Sequence, residues 1–189
     1  VQAGDEDDYF QSNLFTVARR RVVWLLVLLL ANSGTAAVIA SMDDVLHKVV
    51  VLAAFIPLLI GTGGNVGAQS STVVIRGLST QRIQALGPAQ AIGREALAGA
   101  LLGLLMVLVV VPWSMYVSGG NLVVAGAAGI SLVAITTLAA TAGAALPLLF
   151  DRIGLDPALM SAPFIATATD VAGVFIYLRT ASWLLRSWG

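Results

Sequence analysis

The chain has 189 residues, 58% apolar and 11% charged, with ten acids balancing ten bases and a mean hydropathy of +0.93. Soluble domains carry about 45–50% apolar and about 25% charged residues, so a water-soluble globule is excluded, and zero net charge offers no field to attract nucleic acid. The absence of cysteine and the single histidine, His47, remove disulfide frames, thiolate clusters and all-protein zinc or haem sites, and leave an all-α, polytopic membrane protein.

The head, Val1 to Ala18, is polar and acidic (Asp5, Glu6, Asp7, Asp8), holds Tyr9, Phe10 and Phe15, and has no initiator Met. It reads as the end of a cytoplasmic connecting segment of a longer protein, with 19–189 as the membrane domain. A spanning helix needs roughly 20 mostly apolar residues. Five stretches qualify, at about 22–40, 49–75, 96–117, 122–150 and 157–185. The first is opened by Arg19-Arg20-Arg21, closed by Ser41-Met42-Asp43-Asp44, and contains Asn32-Ser33-Gly34-Thr35, which suits either a vestibule lining or an interhelical hydrogen-bond patch. His47 and Lys48 then fall in a solvated outer loop.

The second stretch is apolar in its first half and small or polar in its second. In the third and fourth, Gly99, Gly103, Gly126 and Gly129 are expected to serve helix packing, and Glu95 suits a helix N-terminus. The fifth opens on Asp156-Pro157, an N-cap followed by proline in the first turn. Trp24, Trp113, Tyr116, Trp183 and Trp188 fit interfacial aromatic belts. With the N-terminus inside, Arg19, Arg20, Arg21, Arg76, Arg82, Arg94 and Arg152 face the cytoplasm, against Lys48 and Arg186 outside. This asymmetry predicts five helices with the C-terminus outside. The odd count and the lack of an internal repeat argue against an inverted-repeat carrier.

Two places break the apolar rule. The run Gly61-Thr62-Gly63-Gly64-Asn65-Val66-Gly67-Ala68-Gln69-Ser70-Ser71-Thr72 holds four glycines and six polar residues, four positions after the helix-bending Pro57. Packing through Gly63 and Gly67 explains the glycines. It does not explain Asn65 and Gln69, which share a helix face with Gly61 and point to a water-lined path. Asp170 lies 13 residues past Pro157, about 20 Å along a helix and so near the midplane. A carboxylate there costs roughly 2.5–3.5 kcal/mol on insertion scales. Arg179, nine positions on, is about 13 Å away, too far to pair. An unpaired midplane acid calls for a proton or a mobile cation.

Two such acids across a two-fold axis make a better cation site than one. Oxygen-only ligands favour a hard ion, and Mg²⁺ keeps much of its water beside one or two carboxylates. Asp170, backbone carbonyls near Ala166 and small flanking residues would suit such a hydrated divalent ion. Two rivals stay open: a proton- or sodium-coupled carrier with Asp170 as protonation site, and a non-conducting scaffold subunit whose polar runs serve packing. An intramembrane enzyme is not expected, since no catalytic pairing of residue types is present.

The run Pro57-x-x-x-Gly61-x-Gly63-Gly64-Asn65-x-Gly67-x-Gln69, with Thr72 and Arg76-Gly77-Leu78, resembles a signature of the MgtE family of magnesium channels. So does Asp156-Pro157-Ala158-Leu159 with Pro163, Ala166-Thr167 and Asp170-x-x-Gly173. Ala162 stands where some relatives carry asparagine, a departure that leaves Asp170 untouched. The resemblance implies a homodimer in the cell's inner (plasma) membrane, with a pore at the dimer axis lined by the second and fifth spans. Asp170 and Ala166 would bind hydrated Mg²⁺, and Gly61, Asn65, Gln69, Thr167 and Gly173 would line the pore. It further implies cytoplasmic Mg²⁺-sensing modules joined to the first span through Val1–Ala18.

Overall fold

A computed structural model describes residues 14–188, so the acidic head Asp5–Asp8 with Tyr9 and Phe10 lies outside the described residues, as do the side chains of Trp24, Ala162 and Trp188. Among the described residues all regular structure is helical: α1 (Leu14–Ser41), α2 (Asp43–Lys48), α3 (Leu52–Ser79), α4 (Arg82–Leu86), α5 (Pro88–Val117), α6 (Leu122–Arg152) and α7 (Pro157–Trp188). Four helices are long and apolar enough to cross a membrane: α3, α5, α6, and α7 from Pro163 to Ser187. In α1 the comparable apolar stretch is the shorter Leu25–Ser41.

Most boundaries lie outside the hydropathy reading, although α3 starts at Leu52 rather than about residue 49. Residues 14–18 belong to α1 and run on without a break into the apolar stretch. The link between α1 and α3 is mostly the short helix α2, in which exposed His47 pairs with exposed Asp43 one turn earlier, Nε2 to Oδ2 at 2.9 Å. α3 continues to Ser79 and α5 starts at Pro88, with α4 between them. Hydropathy registers the apolar core of a helix and stops at Arg76 or Arg94, although the backbone bonds continue. The breaks themselves sit where left-handed backbone is needed: Gln81 (φ 56°), Gly87 (φ 90°) before Pro88 at the first turn of α5, and Gly119 and Gly120 (φ 64° and 89°) before α6. The side chain of Asn121 caps α6 by accepting the amides of Val123 and Val124.

α6 is the centre of the bundle, packed by α5, α3 and α7, while α1 lies at the edge against α7. Its buried face is rich in small residues (Ala125, Ala128, Ser131, Ala139, Ala140, Gly143, Ala144), which lets three neighbours approach closely. Three of the glycines expected to pack in α5 and α6, Gly99, Gly103 and Gly129, do this work. A Cβ at Gly99 would meet the Thr136 carbonyl at 2.6 Å, one at Gly103 would strike Thr136 Oγ1, and one at Gly129 would meet Val111 at 2.8 Å. Larger side chains (Leu52, Phe55, Leu59, Leu132, Ile135, Tyr177, Leu178) fill the layer between α3, α6 and α7. Across it the buried Tyr177 hydroxyl donates to the Leu52 carbonyl at 3.1 Å, tying α7 to the first turn of α3.

Candidate cation path

α3 and α7 cross in opposite directions. Gly173 faces Ile60, Gly63 faces Thr169, and Gly67 faces Ile165, so the Thr62–Gly63 step of α3 stands level with Asp170. The same register puts Asn65 near the level of Thr167.

The glycine-rich run divides by face. Gly63 and Gly67 are buried: a Cβ at Gly63 would lie 2.7 Å from Ile135 Cγ2, and one at Gly67 would lie 3.2 Å from the Ala139 carbonyl oxygen. Gly143 of α6 sits directly on the Gly67 carbonyl, where any Cβ would clash. Gly61 and Gly64 have no heavy atom within 4 Å of a Cβ position. Gly61, Asn65, Ala68, Gln69, Thr72 and Arg76 share one helix face, as residues three and four apart do, and are all exposed in the protomer. They form one stripe of small and polar residues from Gly61 to Arg76 on α3.

Among the described residues the exposed polar patch of α1, Asn32 and Ser33, is shorter than this stripe. The exposed residues in the middle of α5 include Leu97, Leu101, Leu104, Leu105, Leu108 and Val109, a surface matched to acyl chains. Polar side chains and glycine-bared backbone are costly against hydrocarbon, so the α3 stripe requires protein or water opposite it.

Asp170 is half-buried beside this stripe and, among the described residues, makes no hydrogen bond or ion pair. Arg179 is exposed, with its guanidinium 6.0 Å from the Phe175 ring centre rather than near the acid. Among the described residues no group of three His, Cys, Asp or Glu side chains is placed to hold a metal, so one protomer offers Asp170 alone.

The other expected residues are distributed as follows. Ala166 is exposed one turn before Asp170, but its carbonyl already accepts the Thr169 hydroxyl at 2.9 Å in addition to the helical amide. Direct ligation by that oxygen would therefore compete with existing bonds. Thr167 is half-buried one turn from Asp170. Gly173 is buried and turned toward Ile60 and Ile135, which places it in the α3–α6–α7 packing rather than on the open face. The Asn32–Thr35 patch makes its bonds within α1: Ser33 Oγ donates to the Leu30 carbonyl and Thr35 Oγ1 to Asn32 Oδ1. Its contact with a neighbour is Gly34, where a Cβ would lie 3.3 Å from Val171 next to Asp170. Tyr177 was not singled out in the sequence, where a tyrosine near a helix end reads as interfacial.

A family profile described as MgtE, divalent cation transporter, matches residues 56–180, which includes both α3 and α7 motifs. The magnesium transporter MgtE of Thermus thermophilus is 40% identical over 167 residues, 88% of this chain and 37% of that protein. The magnesium transporter MgtE of Enterococcus faecalis is 34% identical over 188 residues, 97% of this chain and 40% of that protein. That of Bacillus subtilis is 31% identical over 189 residues, 98% of this chain and 41% of that protein. The chain thus spans about two fifths of the length of these relatives.

Proposed function

The chain belongs to the MgtE family of divalent cation transporters, and from that premise we propose that it forms the conducting part of a Mg²⁺ channel in the inner (plasma) membrane, not an enzyme. In this reading α1 is a fifth span, the N-terminus and the arginine-rich ends are cytoplasmic, and two copies meet about a two-fold axis. The α3 stripes and the α7 helices face each other there. Two Asp170 carboxylates share one Mg²⁺, the transported substrate, which retains most of its water. Ala166 and Thr167 leave room for that shell, and Gly61, Asn65 and Gln69 line the path beyond it. Cytoplasmic Mg²⁺-sensing domains of a longer protein regulate it.

One observation carries the proposal: an unpaired acid beside the exposed small and polar face that runs from Gly61 to Arg76 on α3. Oxygen as the only donor in that face favours a hard divalent ion. Isotopic or dye-based Mg²⁺ flux into proteoliposomes tests it. Wild-type protein should pass Mg²⁺ down its own gradient with no proton or sodium gradient. Asp170→Ala should lower flux by about tenfold or more, the effect of losing roughly 1.4 kcal/mol of ion stabilisation. Unchanged flux and selectivity in Asp170→Ala would sink the assignment, and an absolute need for a counter-ion gradient would replace the channel with a carrier.

A further inference from the structure

A cavity of about 550 Å³ opens where α3, α4 and α5 meet, at the far end of the α3 stripe. Its rim carries Arg76, Arg82 and Arg94, with Glu95 as the acid on its wall. Among the described residues none of these three guanidiniums has a carboxylate within ion-pair distance. Three cations against one acid leave a surplus of positive charge around a single space. Apart from Thr72 and Thr80 the rest of the wall is apolar and includes Val73, Ile83 and Leu86, of which Val73 and Leu86 are exposed.

The cavity is built by packing rather than by a chance of loop placement. Ile83 of α4 sits on Gly77, where a Cβ would lie 2.8 Å from its side chain, and joins the buried cluster of Val74, Ala144 and Leu148. The volume lies within the usual range for a ligand pocket, about 300–1,000 Å³. Depth narrows the occupant. The 28 residues of α3 span about 42 Å, and Arg76 stands about 16 Å from the helix midpoint. The hydrocarbon half-thickness is about 15 Å, with headgroups reaching about 20–22 Å. The arginines therefore stand at phosphate level, with apolar wall on the membrane side.

We propose that this cavity is a binding site for an anionic phospholipid, its phosphate held by Arg76, Arg82 and Arg94 and an acyl chain lying along Val73 and Leu86. Basic pockets between membrane helices recognise lipids of this charge. The assignment does not depend on the transport reading, because it concerns binding alone.

The test uses the whole chain in nanodiscs of phosphatidylglycerol and phosphatidylcholine, followed by native mass spectrometry of retained lipid. Wild-type protein should retain phosphatidylglycerol in preference to phosphatidylcholine. Arg82→Gln with Arg94→Gln should weaken phosphatidylglycerol binding about 30-fold, the product of two lost surface charges. Arg82→Lys with Arg94→Lys, which keeps the charge, should retain the preference, and its helical circular dichroism controls for folding. Equal retention of the two lipids by wild type, or an unchanged preference in the glutamine pair, would overturn the proposal. Arginine-dependent binding of inorganic phosphate without lipid preference would also overturn it, by assigning the cavity to a free anion.

Discussion

Gly64→Ala and Gly67→Ala add the same methyl group to the same helix, three residues apart, and should move stability in opposite directions. Alanine is favoured over glycine in a helix interior by about 0.8–1.0 kcal/mol. At position 64 no heavy atom lies within 4 Å of the added carbon, so that gain is unopposed. At position 67 the carbon would lie 2.5 Å from Ile165 Cγ2 and 3.2 Å from the Ala139 carbonyl oxygen. Carbon pairs rest about 3.5–4.0 Å apart, so α3 and α7 would have to separate by about 1 Å. Neither obstacle can turn away, since one is backbone and the other a β-branched side chain with a stiff χ1. Overpacking of this kind costs about 1–3 kcal/mol, and that is the expected gap between the two variants. Thermal unfolding of the purified protein should show it as about 2–12 °C, at about 2–4 °C per kcal/mol for a chain of this size. If Gly67→Ala melts at or above Gly64→Ala, the packed and open sides of α3 have been assigned the wrong way round.

Three further outcomes are expected. Asn65→Leu combined with Gln69→Leu should leave the melting temperature within about 2 °C, because both side chains are exposed in the protomer, while Mg²⁺ flux falls; unaltered flux would remove these two side chains from the ion path. Tyr177→Phe leaves the buried Leu52 carbonyl without its side-chain partner and should cost about 1–2 kcal/mol, read as a lower melting temperature with ion selectivity unchanged. His47→Ala breaks a pair in which both side chains are exposed, so melting curves should superimpose with wild type.

Apolar run length was enough to find the long helices, because each must carry its own backbone bonds through hydrocarbon. Asp170, Asn65 and Gln69 were legible for the converse reason, as polar groups where only apolar ones are cheap. The α2 and α4 helices were not, since five or six residues carry too short a pattern. Glycine was the most ambiguous letter. Gly61, Gly63, Gly64 and Gly67 look alike in a motif, yet two seat neighbouring helices and two are bare. Separating them needs the crossing register of α3 with α6 and α7, which depends on contacts far apart in the chain. The same limit applies to Gly173, whose three-residue spacing from Asp170 suggests a shared face while the packing of Ile60 and Ile135 takes it inside. The arginine cavity was equally hidden: Arg76, Arg82 and Arg94 were counted for orientation, and only the fold gathers them.

The hydroxyl groups of the bundle have a mechanical consequence. Thr62, Thr136, Thr169 and Thr180 each donate to the carbonyl four residues earlier in their own helix, and Ser114 to the one three earlier. These bonds travel with the helix that carries them. A helix that slides or rolls against its neighbour keeps them intact and exchanges only van der Waals contacts across notches such as the Gly67 carbonyl on Gly143. The Tyr177 link to Leu52 is different, because it spans two helices and fixes one end of α3 to α7. Resistance to shear is therefore concentrated at that end of the bundle. Toward Ser79, close packing such as Ile83 on Gly77 opposes small rotations of α3.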